Sequence, residues 1–463
     1  MREWRASLTD PEVPLRALLQ RASLSPEQFA KRLNVQASEL GLKQRIDQKT
    51  PYKWFRGAVP RQPWPTLAAH LLSATLGIEV SSEDLGWGVG NADMLCVPAD
   101  VGLVLPWTTA GALSAATEVM DGAAMDRRIF LGLTGGALTT PAFDWLIARP
   151  ADDASRVAGR RIKDAAVDNI EQQTAQLRRM DDQLGGGATL ALVRALVRHV
   201  VELLRDGSYT SSVGTRLNAA AAELMRLAGW LSYDAGQNPL AQRYWLAALH
   251  AAHAAGDRAV GANVLGFMSL QAWHAGQHGD AVKLAAAAKH RYSGSSPRVQ
   301  AIIDLRVAMA YSGVREEKTC RAAIDAAYEA LRSTGHDALE PGWAYWQDEA
   351  NVNEQIGSCY LQQGDWSRAQ SHFRTALRLQ DPSFVRQKAF RHTSLALGYA
   401  GGGEPERAVN AATRATEILS EDVLSERCVG FVREVQVALR PYRRVAVVAE
   451  FDERVNTLFG VAA

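Results

Sequence analysis

Five times in the second half of this chain a small residue is followed, four positions on, by a residue that can fill a gap, and then by alanine three further. The sets are Ala241/Trp245/Ala248, Ala281/Ala285/Ala288, Cys320/Ile324/Ala327, Ala369/Phe373/Ala376 and Ala408/Ala412/Ala415. Their leading positions lie 40, 39, 49 and 39 residues apart. In the last three sets another helix is marked twelve positions upstream, by Ala308-x-x-Tyr311, Gly357-x-x-Tyr360 and Ala396-x-x-Tyr399. Spacings of three and four put residues on one helix face. Small residues on that face let two antiparallel helices approach closely while the larger side chain fills what remains. From Asp152 onward the chain is alanine- and leucine-rich, broken into helix-length pieces at Gly185-Gly186-Gly187, Gly207-Ser208, Gly236, Gly256-Asp257, Gly276, Gly294, Gly364-Asp365 and Gly401-Gly402-Gly403. The expectation is an all-α stack of helix pairs.

The pattern resembles tetratricopeptide (TPR) repeats, stretched beyond their usual period of roughly 34 residues. The fourth set, read as I-G-S-C-Y-L-Q-Q-G-D-W-S-R-A-Q-S-H-F-R-T-A-L, is close to that consensus. Such repeats stack into an α-solenoid whose concave face binds the partner. The second, fifth, ninth and twelfth positions of each first helix place Glu223, Arg226, Trp230, Tyr233, Asn263, Leu270, Trp273, Met309, Asn351, Glu354 and Ser358 in one groove. Asn263 and Asn351 share a repeat position, and an asparagine amide can donate to and accept from an extended peptide backbone at once. Trp230 and Trp273 could pack its side chains. The competing reading makes these aromatics inter-repeat core, and Trp343, Tyr345 and Trp346 are read as core at the start of the fourth repeat.

At the other end, residues 13–90 read as a small helical unit. Ser25 caps a helix with Pro26 at its first position, and Phe29, Ala30 and Leu33 face inward. Thr50–Arg61, T-P-Y-K-W-F-R-G-A-V-P-R, reads as a second short helix. Thr50 is its expected N-cap, Pro51 its first residue, Trp54 and Phe55 its buried face and Gly57 its stop. Residues 43–61 carry Lys43, Arg45, Lys49, Lys53, Arg56 and Arg61 against Asp47 alone. Lysine and arginine bond guanine edges and glutamine bonds adenine, whereas phosphate contacts hold register without reading sequence. The expected DNA-reading set is therefore Gln48, Lys49, Thr50, Tyr52, Lys53 and Arg56, with Arg45 and Arg61 on phosphates. A solvated basic face is the competing reading.

S-P-E-Q-F-A-K-R-L-N-V followed by W-F-R-G-A-V-P-R resembles the helix-turn-helix of the lambda-repressor-like (XRE) class. Two departures are visible: the turn is lengthened by Ser38–Asp47, and the proline follows the glycine after two residues. Which of Lys49, Tyr52, Lys53 and Arg56 touch bases therefore stays open. With A-G-W-L-S-Y-D-A-G (Ala228–Gly236), A-Q-R-Y (Ala241–Tyr244), A-G-D-R-A (Ala255–Ala259) and D-L-G-W (Asp84–Trp87), residues 13–460 resemble the actinobacterial helix-turn-helix–TPR regulators, a family that includes a negative regulator of sporulation and antibiotic production. The resemblance implies a cytoplasmic, dimeric transcription regulator that binds double-stranded DNA and controls development or secondary metabolism. Its TPR domain would dimerise and sense a peptide, small-molecule or protein ligand. The division expected is 1–92 for DNA binding, 93–151 as a linker with a short helical segment, and 152–463 for the repeats. The alternative is a protein–protein scaffold whose N-terminal domain does not bind DNA.

Composition narrows the rest. A chain of 463 residues is too long for one core, and 51 Lys+Arg against 50 Asp+Glu confine any nucleic-acid site to a local patch. Cys96, Cys320, Cys359 and Cys428 are far apart and form no C-x-x-C pair, which fits a reducing compartment. Met1–Asp10 lacks the apolar core of a secretory signal. Arg127-Arg128-Ile129-Phe130-Leu131 and the apolar run to Ala148 imitate a twin-arginine export signal, but Asp144, Gly135-Gly136 and Pro141 suit a buried helix–turn better than a membrane span. His250/His253 and His274/His278 have helical spacing without a carboxylate or cysteine completing a ligand set nearby, and Gly86-x-Gly88-x-Gly90 follows no strand. No catalytic, metal or cofactor motif is expected.

Overall fold

The computed structural model describes residues 14–39, 45–61, 64–76, 80, 85–87, 105–122, 132–184, 186–332, 340–421 and 425–460. Lys43, much of the Ser38–Asp47 insertion, Asp84, Gly88, Gly90, the 93–104 part of the linker, Cys96, the Arg127–Leu131 motif and Gly185 lie outside them. The described chain is overwhelmingly helical, with one two-residue parallel strand pair, β1 (Arg160–Arg161) and β2 (Gly207–Ser208). It divides into two units: Met1–Ala99 with Thr134–Ala148, and Asp100–Leu133 with Arg149–Ala463.

In the first unit α1 (Pro14–Arg21) buries Leu15, Leu18 and Leu19, and α2 (Pro26–Glu39) buries Phe29, Ala30, Leu33 and Ala37. Ser25 starts α2 by a reciprocal bond: its Oγ accepts from the Gln28 amide at 3.2 Å, and its own amide donates to Gln28 Oε1 at 3.0 Å. Helix α3 is short, Thr50–Trp54, and lies against α2; α4 (Trp64–Leu76) packs on both α1 and α2. Thr50 is not the cap of α3. The chain is already helical at Lys49, whose amide donates to Asp47 Oδ1 at 2.8 Å, so the aspartate two residues upstream sets the turn. Gly57, at φ +92°, stops the segment as its sequence suggests. Asn34 ties the end of the insertion to α2, with its amide donating to the Ile46 carbonyl at 2.8 Å and its carbonyl accepting from the Ile46 amide at 2.9 Å.

The expected linker contains two full helices, α5 (Thr109–Gly122) in the second unit and α6 (Gly135–Ile147) in the first. The buried face of α5 is Ala112, Ala115, Ala116, Val119 and Met120, a helical spacing whose alanine members are scarcely distinguishable from their surroundings in the sequence. Helix α6 runs through Pro141 and buries Leu138, Ala142, Phe143, Trp145 and Leu146. Among the described residues no helix is long and apolar enough to cross a membrane.

From Asp164 the second unit runs through two long helices, α7 (Asp164–Leu184) and α8 (Gly186–Asp206), and continues in pairs: α9 (Ser211–Asp234) with α10 (Asn238–Ala254), α11 (Arg258–His274) with α12 (His278–Arg291), α13 (Pro297–Gly313) with α14 (Glu317–Arg332), α15 (Glu349–Gln363) with α16 (Trp366–Leu379), and α17 (Val385–Gly401) with α18 (Pro405–Glu421). A 3₁₀ turn, Gly342–Trp346, precedes α15, and α19 (Glu426–Leu439) and α20 (Ala446–Phe459) follow. All five small/large sets fall on the second helix of a pair, and every member is buried. The close approach is literal. A Cβ on Gly229 of α9 would lie 2.4 Å from the Trp245 ring of α10, and one on Gly357 of α15 would lie 2.9 Å from Phe373 of α16. The first helices α9, α11, α13, α15 and α17 pack in succession into one row. Helix α7 packs on α9, α17 and the 3₁₀ turn, and α19 packs on α17 and α9, so helices from outside the pairs flank the inner row.

Candidate functional site

The inner row, α7 and α19 surround a cavity of about 100 Å³. Its walls alternate aromatic faces with charge. Trp230, Phe267, Tyr345, Trp346, Phe384 and Phe390 supply the aromatics; Arg178, Arg226, Arg306, Arg386 and Arg427 face Asp181, Asp182 and Glu354.

Most of these charges are already matched. Arg386 Nη2 donates to Asp181 Oδ2 at 3.0 Å and its Nη1 lies 3.6 Å from Asp234. Arg427 Nε donates to Asp234 Oδ1 at 3.1 Å, and Arg391 Nε donates to Glu354 Oε2 at 2.8 Å. Arg178 pairs with Glu223, and the Tyr345 hydroxyl donates to Asp182. Burial pulls the Arg386 and Arg427 guanidiniums down, but Asp181 and Asp234 beside Arg386, and Cys428 followed by Asp234 beside Arg427, outweigh it and hold both above the ordinary arginine range. Asp182 stays on the desolvated side: burial lifts its carboxyl to about 6, against the hydrogen bond from Tyr345.

Arg226 and Arg306 differ. Each is nearly out of solvent, at 4% and 5% exposure, and among the described residues neither has a carboxylate within ion-pair distance. Arg306 Nη1 donates to Gln355 Oε1 at 2.8 Å; Arg226 Nη1 reaches Asn263 Oδ1 only at 3.5 Å. The Nε atoms of both are buried without a hydrogen-bond partner. Burial, chiefly, lowers both to about 10. His274, also on the wall, is pushed down to about 3, by burial first and then by Arg427 and Arg306, and its Nδ1 meets the Tyr233 hydroxyl at 2.7 Å.

Of the groove residues expected from sequence, Arg226, Trp230, Leu270, Met309, Asn351, Glu354 and Ser358 line this cavity. Tyr233, Asn263 and Trp273 do not: Tyr233 is buried beneath His274, Asn263 is buried behind Arg226, and Trp273 lies edge-on to His274. Asn351 holds neighbours rather than an open edge, since its Oδ1 accepts from Gln355 Nε2 at 2.9 Å. Tyr345 and Trp346, expected in the core, face the cavity; Trp343 is buried. Arg306, Arg386, Arg427, Asp181 and Asp182 were not anticipated. One sequence signal for Arg306 existed, a guanidinium inside the apolar run I-I-D-L-R-V-A-M-A of an inner helix. The paired histidines are packing groups: His250 stacks on Trp107 at 4.0 Å and His253 meets the same ring edge-on at 5.4 Å.

In the first unit Arg45, Gln48, Lys49, Tyr52, Lys53, Arg56 and Arg61 are exposed, and Thr50 is half-buried. Among the described residues, two of the eight side chains are engaged. Arg45 Nη1 donates to the Asn34 carbonyl at 3.1 Å, and the Tyr52 hydroxyl donates to Glu27 Oε1 at 2.6 Å. That bond raises Tyr52 above its usual range and lowers Glu27. Lys49, Lys53, Arg56 and Arg61 form no ion pair among the described residues. Trp54 is buried edge-on to Trp87 at 5.2 Å, and Arg16 lies over Phe55 at 5.1 Å, so the apolar side of α3 anchors it while the basic side faces water.

Residues 15–88 match the family model of the SP15 N-terminal domain. No curated protein matches the chain. Among solved structures the chain is similar to the crystal structure of BtubC (BKLC) from P. vanneervenii, at 18% identity and a TM-score of 0.34, over 50% of this chain and 89% of that one.

Proposed function

We propose that this chain is a sequence-specific, DNA-binding transcription regulator, with a helix-turn-helix first unit and a TPR-like second unit that dimerises and binds an effector in its cavity. The observation that carries this reading is the exposed, unpaired basic edge of Lys49, Lys53, Arg56 and Arg61 around a helix anchored by Trp54. Phosphates would neutralise that edge, and whichever of Lys49, Lys53 and Arg56 reach base edges would read sequence. The free thiols of Cys320, Cys359 and Cys428 agree with a cytoplasmic setting. The resemblance to the helix-turn-helix–TPR regulators supports a role in development or secondary metabolism. An effector alters DNA binding only if it binds two states of the second unit with different affinity.

The rival reading, a scaffold whose first unit does not bind DNA, draws on the five-residue length of α3 and the tethering of Tyr52 to Glu27. The test is selection of bound fragments from genomic DNA with purified protein, then affinity against salt. Lys53→Ala and Arg56→Ala should each weaken binding, and a variant that no longer reaches its phosphate should show a salt slope flatter by about one. Unchanged affinity and slope in both variants would leave the scaffold.

A further inference from the structure

We propose that the cavity of the second unit takes a small-molecule oxyanion, a carboxylate or phosphate carried on a planar apolar body, and that Arg226 and Arg306 hold its charge. The proposal deepens the effector reading and rests on the cavity being the effector site.

Three observations converge. The first is an imbalance. Asp181, Asp234, Glu354 and Glu223 are taken up by Arg386, Arg427, Arg391 and Arg178, which leaves Arg226 and Arg306 without a carboxylate. A guanidinium removed from water and left unpaired is strongly unfavourable, so its persistence in two inner helices asks for an anion from outside the chain. The second is aim. Both residues line the cavity, and both keep a buried Nε–H unused, as Arg178 and Arg386 also do, but of these four only Arg226 and Arg306 do so without a carboxylate partner. A planar guanidinium presents forked donors that match carboxylate and phosphate oxygens. Gly266 of α11 leaves space for the Arg306 stem, since a Cβ there would lie 3.2 Å from its Cγ. The third is the rest of the lining. Trp230 and Phe267 lie 5.2 Å apart, and Phe267 stacks towards Trp346 at 6.4 Å, which offers ring faces to an apolar body. A bound metal cation would meet the wrong charge, and the flanking α7 and α19 favour a compact ligand over a long extended chain.

Binding to the full chain is measured by titration calorimetry at constant ionic strength with three probes of one shape: 2-naphthoate, 2-naphthyl phosphate and neutral 2-naphthamide. At least one anion should bind about ten-fold or more tightly than the amide, the scale of a charge-assisted hydrogen bond. Which anion binds tighter separates a carboxylate effector from a phosphate. Arg226→Met and Arg306→Met keep the aliphatic stem, and each should weaken the preferred anion about ten-fold while leaving the amide unchanged. The wild-type comparison stands without the variants if either fails to fold. Equal binding of amide and anions overturns the anion site while keeping the cavity as a binding site. Binding of none of the three overturns both. Loss of DNA binding alone would remove the regulator reading and leave this result intact.

Discussion

Both units carry arginine or lysine without a carboxylate partner, but the two settings differ sharply in cost. Lys49, Lys53, Arg56 and Arg61 stand in water, which solvates them fully, so their lack of partners costs almost nothing and does not by itself imply a ligand. Arg226 and Arg306 are buried, where water cannot do this and where the neighbouring carboxylates already serve another guanidinium or, for Asp182, the Tyr345 hydroxyl. The same chemical group is therefore weak testimony on one unit and strong testimony on the other.

The largest expected effect tests whether the matched buried charges are structural. Arg386→Ala strands Asp181, leaves Asp234 to Arg427 alone, and should destabilise the second unit by about 3–5 kcal/mol in denaturant unfolding. A loss of under about 1 kcal/mol would mean that water reaches this pair and would erase the contrast with the surface.

Acid stability comes next. His274 titrates at about 3 in the folded chain against 6.5 ordinarily, so the unfolded chain takes up protons first. Its contribution is present above 6.5 and is lost as pH falls through that window, by about 2–3 kcal/mol at about pH 4.5. His274→Phe should flatten that limb in unfolding followed against pH. Asp182 runs the other way. Its folded carboxyl titrates at about 6 against 3.8, so its contribution is present below 3.8 and fades as pH rises through 6. Asp182→Asn should therefore gain about 3 kcal/mol over the wild type at alkaline pH and little in acid. A pH-independent difference would place Asp182 in contact with bulk water.

The smallest expected change in stability belongs to the surface. Lys53→Ala should alter unfolding by no more than about 0.5 kcal/mol while weakening DNA binding. A stability loss well beyond that would show that Lys53 packs rather than projects.

What could be read from sequence follows from how far apart the partners lie along the chain. The small/large sets were legible because three- and four-residue spacings are local, and Ala369, Phe373 and Ala376 are buried where the register puts them. Arg226, Trp230, Asn351 and Glu354 were placed by the same register and reach the cavity. The ion pairs that finish the site were not legible. Asp181 meets Arg386 across 205 residues and Asp234 meets Arg427 across 193, and no repeat pattern says that α7 and α19 flank the inner row. The cap of α3 failed for a smaller reason. Thr50 and Asp47 are both good turn formers, and the geometry chose the aspartate.

The most direct test of the contrast between buried and solvated charge is the melting temperature of Arg306→Met without ligand. Losing the bond to Gln355 costs about 1 kcal/mol, and relieving an unpaired buried guanidinium returns more. The variant should therefore melt at or above the wild type. A fall of several degrees would make Arg306 a structural tie of α13 to α15 and would contradict its assignment as a group held ready for an anion.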